Sequence, residues 1–243
     1  MRLRPDLHGK VAIVTGGGRG IGRAIAVALA QCGADVAVTA RTRHELEETA
    51  QLVRSNGRNS AVIVADLTSA AECRRAVEEA VAALGPPDIL VNNAGSARFK
   101  PIHEYTDEEL DFHYAVNFRS MAVCSREVLR HMIPRRRGAI VNIASSSGKK
   151  PYRHQGPYCA MKAAVIALSK VMALELRDYH IRVHVVAPGA VDTAMADVVH
   201  PERDRSGWMK PEDVAQIVLH LLALPDHLTV DEVVMRRYLA DPL

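Results

Sequence analysis

Val11-Ala-Ile-Val-Thr-Gly-Gly-Gly-Arg-Gly-Ile-Gly22 joins a strand-like run to a glycine turn and the start of a helix. A β-prone run, Val11–Thr15, meets a glycine-rich turn, and an amphipathic helical pattern follows over Arg19–Gln31. Gly16, Gly20 and Gly22 let the backbone turn tightly, let a phosphate approach and let the helix pack close to the strand. A helix N-terminus at that point favours a pyrophosphate. The spacing is Thr-Gly-x-x-x-Gly-x-Gly, not the strict Gly-x-Gly-x-x-Gly fingerprint. Glycine turns are common, so the loop gains its weight from its place directly after a first strand.

Working outward, further β-rich runs fall at Asp35–Ala40, Ser60–Ala65, Ile89–Val91, Ala139–Ile143, Ile181–Val186 and, more weakly, Glu232–Met235. Helical patterns at His44–Ser55, Ala70–Leu84, Asp107–Ile133, Tyr158–Arg177 and Pro211–Leu224 separate them. Strand and helix in alternation predict an α/β fold, a doubly wound parallel sheet of about seven strands with helices on both faces. No linker or composition break divides the chain, so one domain over residues 1–243 is expected. In such sheets ligands bind outside the carboxyl ends of the strands. There the sequence places Thr15-Gly16, Arg41, Asp66, Asn92-Asn93-Ala94-Gly95, Ser145 and Pro188-Gly189. Turn chemistry accounts for the Gly and Pro but not for all these polar side chains together.

The chain has 243 residues, which suffices for one large core, and its aromatic content is low. Core volume must then come from Ala, Val, Leu and Ile, as suits helices packed on a parallel sheet. A dispersed net charge of +3 does not argue for nucleic acid. Cys32, Cys73, Cys124 and Cys159 lack Cys-x-x-Cys spacing, so they read as reduced thiols, with neither zinc site nor disulfide framework. No secretory signal and no membrane span are legible, and a cytoplasmic location is the expectation.

The second strand ends at Ala40-Arg41, where a site for NAD usually places an acid on the ribose 2′-hydroxyl. Arg41 suits a 2′-phosphate instead. Arg19 offers a second cation and Arg43 a further one, so NADP(H) is expected over NAD(H); solvated surface arginines are the bland reading. Asp66 can cap the next helix or reach an adenine edge. Asn117, inside the long pattern Asp107–Ile133, is either a satisfied core polar group or part of a hydrogen-bond relay. Pro134-Arg-Arg-Arg-Gly138 reads as a solvated turn.

Tyr158-Cys-Ala-Met-Lys162 begins a helix, and residues four apart share one helical face. An ammonium beside a phenol favours phenolate and lowers a tyrosine pKa from its reference of about 10. Tyr158 so tuned would exchange a proton near neutral pH. Ser145, thirteen residues earlier, can hold a carbonyl oxygen or belong merely to a serine turn. Nothing around it forms a hydrolase elbow. His154 and Gln155 precede Tyr158, His154 reading as exposed. The polar, irregular stretch 191–210, with Met195, His200, Trp208 and Met209, is expected to be a mobile lid.

Thr15-Gly-Gly-Gly-Arg-Gly-Ile-Gly22, Asp66, Asn92-Asn-Ala-Gly95, Asn117, Ser145, Tyr158-x-x-x-Lys162 and Pro188-Gly189 with Thr193 run in order over nearly the whole chain. Each is weak alone. Together they resemble the short-chain dehydrogenase/reductase family, with its Rossmann-like fold. The resemblance implies hydride transfer between a nicotinamide and a ketone, aldehyde or alcohol, without a metal. Tyr158 would be the general acid, Lys162 would tune it and hold the nicotinamide ribose, Ser145 would orient the substrate oxygen, and Asn117 would hold a relay water. The cofactor contact set it implies comprises Gly16, Gly18, Arg19, Gly20, Ile21 and Gly22, then Arg41, Asp66 and Leu67 around the adenosine. It continues with Asn93, Ala94 and Gly95 and closes with Pro188, Gly189, Val191 and Thr193, with Tyr158 and Lys162 at the ribose.

The tail from Thr229 to Leu243 has no glycine, unlike the Gly-Gly ending common among reductases of acyl-carrier-protein thioesters, which favours a general carbonyl reductase over that activity. A nucleotide-sugar epimerase would need a longer chain after the sheet. A catalytically silent dinucleotide-binding regulator is the remaining alternative. The resemblance also implies a homotetramer or homodimer joined through the two longest helices.

Overall fold

The computed structural model describes residues 4–199, 202 and 204–240. Strands β1 (Val11–Thr15), β2 (Asp35–Ala40), β3 (Ser60–Val64), β4 (Ile89–Asn92), β5 (Gly138–Ile143), β6 (Ile181–Pro188) and β7 (Glu232–Met235) form one sheet. Its order is β3-β2-β1-β4-β5-β6-β7, with every pairing parallel. Connection reverses direction between β1 and β4, which opens a crevice at the carboxyl ends of those two strands.

Alternation along each strand sends side chains to two cores. Ala12, Val14, Val36 and Val38 pack with helices α1 (Gly20–Gln31) and α8 (Pro211–Leu222) on one face. Ile13, Ala37, Ile63 and Leu90 pack on the other face with α3 (Ala70–Leu84) and α5 (Ser120–Arg135). Helix α6 (Gly156–Leu176) lies over β6, with Val165 and Ile166 against Val185 and Ala187. Helix α2 (Arg43–Ser55) covers β2 and β3. Among the described residues no helix is long and apolar enough to cross a membrane.

The long pattern Asp107–Ile133 is not one uniform helix. A capping box of Thr106 and Glu109 starts α4 (Asp107–Tyr114). A π-turn over Ala115–Arg119 then carries the chain into α5. The extra residue in that turn shifts the helical phase at Asn117. π-Turns of this kind are found mostly at functional sites.

Pro134-Arg-Arg-Arg-Gly138 is not a solvated turn. Pro134 and Arg135 finish α5, and Arg136 closes it in the left-handed region at φ 50°. Arg135 Nη1 and Arg137 Nε hold Asp88 Oδ1 at 3.2 and 3.0 Å, while Asp88 Oδ2 accepts from Val11 N at 3.1 Å. Asp88 is buried, so these partners are what make a carboxylate acceptable there. The clamp ties the starts of β1, β4 and β5 together.

Candidate active site

The glycine loop leaves β1 at Thr15, whose Oγ1 accepts from Asn93 N and Ala94 N, both at 3.0 Å. Asn93 Nδ2 donates back to Thr15 O at 3.0 Å and Gly16 O at 3.1 Å. The β1 and β4 ends are thereby sewn together beneath the crevice. Gly16 turns at φ 64°, and a Cβ on Gly22 would stand 2.1 Å from Gly16 O, so no larger residue fits that helix-to-loop contact. Arg19 at the N-cap of α1 supplies no side-chain cap, which leaves first-turn N–H groups for an anion. Arg23, not singled out in the sequence, braces the loop from behind with two bonds to Gly18 O at 2.9 and 2.6 Å. Its only sequence signal is an arginine one turn into the helix.

Around the end of β2 the three expected cations differ. Arg19 Nη1 lies 3.3 Å from Glu45 Oε1, so it is already paired. Arg41 is exposed and has no ion-pair partner among the described residues. Arg43 pairs along α2 with Glu47 at 3.7 Å. Asp66 Oδ1 accepts from Thr68 N and Thr68 Oγ1 in a local turn, while Ser69 caps α3. The capping alternative for Asp66 is therefore not taken, and its carboxylate stays exposed at the strand end beside buried Leu67.

Nearer the middle, Asn117 Oδ1 accepts from Ser96 N at 3.1 Å and Asn117 Nδ2 donates to Ser96 O at 2.9 Å. The side-chain amide is thus committed to the backbone that follows Gly95. His113, buried one turn earlier, has its Nδ1 3.4 Å from the same Nδ2. Burial holds this imidazole below its usual pKa, hence neutral, so Nδ1 is free to accept. A Cβ on Gly95 would stand 3.0 Å from Asn117 Oδ1 and 3.5 Å from Lys162 Nζ, so glycine is what lets those two side chains approach this backbone. Across the cleft, Thr193 approaches Gly20, whose added Cβ would lie 3.3 Å from the threonine methyl. Gly189 N donates to Met235 O at 2.8 Å, fixing the end of β6 next to Pro188 and Val191. Ile21 packs half-buried against the core beneath the loop.

Ser145, Tyr158 and Lys162 come together at the end of β5 and the first turns of α6, all three buried. The Ser145 side chain stands close enough to the phenol of Tyr158 to favour its ionised form, and its Oγ accepts from Ser147 N at 3.1 Å. Lys162 Nζ donates to Ile143 O at 3.0 Å and sits 5.7 Å from the centre of the Tyr158 ring. The tuning differs from the sequence expectation. Burial pushes the phenol above the ordinary tyrosine value, and Ser145, not Lys162, is the group that opposes it. Burial also lowers the Lys162 ammonium, to about 8. Desolvation outweighs attraction because the ammonium is engaged with a carbonyl instead of the phenolate oxygen. Phe99 closes one side, its ring edge-on to Tyr158 at 5.7 Å.

Within 191–210, expected as a lid, the structure describes residues 191–199, 202 and 204–210. The ends of that stretch are pinned by a bridge between Val191 and Met209, with Asp192 N donating to Met209 O at 2.8 Å. Asp192 also pairs with Arg205 at 3.2 Å and Lys210 at 2.8 Å. Trp208 is buried and Met209 packs on the core, so both are anchors; Met195, on the short helix α7 (Ala194–Val199), is exposed. His200 lies outside the described residues. His154 is exposed, in the left-handed region at φ 67°, whereas Gln155 is buried and accepts from Ser147 Oγ at 3.0 Å.

The family model for short chain dehydrogenase matches residues 10–204. D-erythrulose reductase of Gallus gallus is 39% identical over 96% of this chain and 89% of its own length. A short-chain dehydrogenase/reductase from Serratia marcescens superposes with TM-score 0.88 at 36% identity, covering 96% of this chain and 98% of that one. A metagenomic short-chain oxidoreductase solved in complex with NADP gives TM-score 0.85 at 33% identity, over 97% of this chain and 100% of the other.

Proposed function

The chain belongs to the short-chain dehydrogenase family, and on that premise we propose an NADP(H)-dependent oxidoreductase that interconverts a ketone or aldehyde with an alcohol. The observation that carries this reading is the buried set of Ser145, Tyr158 and Lys162 at the mouth of the β1/β4 crevice. The residues present fit a nicotinamide dinucleotide. The uncapped start of α1 and the glycine turn suit the pyrophosphate. Arg41, Asp66 and Leu67 stand at the adenosine end. The absence of an acid after β2, with Arg41 exposed in its place, favours a 2′-phosphate. Pro188, Gly189, Val191 and Thr193 would flank the carboxamide end, and Asn93, Ala94 and Gly95 the floor.

When bound, that cofactor supplies or accepts the hydride. Charge then develops on the substrate oxygen. Ser145 and Tyr158 present two hydroxyl donors to it, and Tyr158, kept protonated by burial, delivers the proton. Lys162, 5.7 Å behind the ring, would hold the ribose and relay the replacement proton. Since the Asn117 amide is bonded to Ser96, its part in the relay is to hold the π-turn and that loop in place.

Residues 1–243 read as one catalytic domain with 191–210 flanking the substrate. Exposed Val171 and Leu174 on α6, beside the apolar α5–α6 groove at Leu129, Ile133 and Leu168, support a homodimer or homotetramer, which light scattering measures. NADPH oxidation with a panel of ketones tests the activity. Turnover should appear and fall by about 10²-fold or more in Tyr158→Phe. Full activity in that variant removes the role assigned to the phenol.

A further inference from the structure

Two chain segments flank Ser145 and Tyr158. Ser96–Tyr105 follows β4, and Ser146–Pro157 runs from the serine at the end of β5 to the start of α6. They are joined where Lys100 N donates to His154 O at 3.0 Å and where a Cβ on Gly156 would meet Ile102 Cδ1 at 3.8 Å. Both border the phenol, one through the Phe99 ring and the other by running from Ser145 directly into Tyr158. Together they hold Arg98, Lys100, Lys149, Lys150 and Arg153 against a single carboxylate, Glu104. That local excess exceeds the +3 of the whole chain.

Neighbouring elements neutralise only part of it. Glu109 of α4 pairs with Lys100 and stands 4.0 Å from Arg98, which also lies over the Phe112 ring. Glu232 of β7 pairs with Lys149 at 3.1 Å and with Lys170 at 3.2 Å. Lys150, half-buried, and Arg153, exposed, have no ion-pair partner among the described residues. Both sit on the link between the substrate-orienting serine and the general acid. A concave mouth with one sign of charge concentrates ligands of the opposite sign and orients them on entry.

Building on the carbonyl-reduction reading, we propose that the substrate is an anion, bearing a carboxylate or phosphate remote from its carbonyl, and that Lys150 and Arg153 receive that group. The remote group then fixes which carbonyl faces Ser145 and Tyr158.

The test compares kcat/KM with NADPH within two matched pairs, levulinate against methyl levulinate and dihydroxyacetone phosphate against dihydroxyacetone. Preference for the anion in a pair by about tenfold or more is expected, shrinking as salt rises. The pair that shows it identifies carboxylate or phosphate. In Lys150→Glu/Arg153→Glu the preference should vanish or invert, and in Lys150→Gln/Arg153→Gln it should weaken. Equal kcat/KM within both pairs, or a preference that survives both double variants, overturns the anion site while leaving carbonyl reduction in place. No turnover of any of the four compounds removes the reductase reading and the anion site with it.

Discussion

Tyr158 and Lys162 share one face of α6, but burial acts on them in opposite directions. It makes the phenol harder to ionise and the ammonium easier to deprotonate, so both side chains move toward their neutral forms. A neutral phenol beside Ser145 is a proton donor in waiting, which suits the reductive direction. The lysine carries a stability signature whose sign follows directly. In the unfolded chain its pKa is about 10.4, whereas in the folded chain it is about 8. Between those values the unfolded state holds a proton that the folded state has released, so stability rises with pH across that window. Below it, the cost of burying the charge is present in full. Urea midpoints of the ligand-free protein at pH 7.5 and 9.5 measure this. Wild type should gain about 1 to 3 kcal/mol more over that interval than Lys162→Met, which has nothing to titrate. Parallel behaviour of the two proteins would mean that Lys162 keeps an ordinary pKa.

At the scale of elements, the glycine loop, the start of α1 and the first turn of α2 act as one unit. Arg23 fastens the loop through Gly18 O, and Thr49 Oγ1 reaches the same carbonyl at 3.2 Å. Glu45 occupies Arg19 from across that unit, whereas Arg41 has no ion-pair partner among the described residues. Glu45→Gln should release Arg19 and tighten NADP by about two- to fivefold, the size of an exposed pair, with NAD little changed. Arg41→Asp should weaken NADP far more than NAD. Titrating both nucleotides against each variant separates these outcomes, and equal loss of both in Arg41→Asp denies that its guanidinium reads the phosphate. The glycine turn after β1 and the exposed place of Arg41 after β2 were legible because local backbone and chain position set them. Glu45 was not, because it lies 26 residues from Arg19 and only folding brings them together. The π-turn was hidden for a different reason. Apolar residues continue on either side of it, and one additional residue in a single turn barely perturbs a 3.6-residue period.

Across the whole molecule, the strand runs and their parallel pairing followed from alternation of short apolar segments with amphipathic ones, and the order placing β1 beside β4 located the crevice. Side-chain partnerships between strands were beyond that reading. Asn92 Nδ2 joins Ser125 Oγ and Asn142 Oδ1, and Asn142 Nδ2 continues to Ser169 Oγ, linking α5 and α6 across the sheet. His184 is the clearest case. It lies fully buried in β6, and its Nδ1 is 2.7 Å from Val230 O, just before β7. Its Nε2 has no hydrogen-bond partner among the described residues, and burial lowers its pKa despite the carbonyl. The folded protein therefore keeps this ring neutral, as it does His113, with Nδ1–H donating to Val230. Below the unfolded histidine value of about 6.5, the unfolded chain takes up protons that the folded chain refuses, so stability falls as pH falls through that value. Each such ring contributes up to about 1.4 kcal/mol per pH unit within its window. His184→Gln supplies a side-chain N–H in place of the ring donor and cannot titrate. Urea midpoints at pH 7.5 and 5.5 should drop less in that variant than in wild type, whatever its stability at neutral pH. An equal drop would mean that His184 accepts its proton inside the folded sheet.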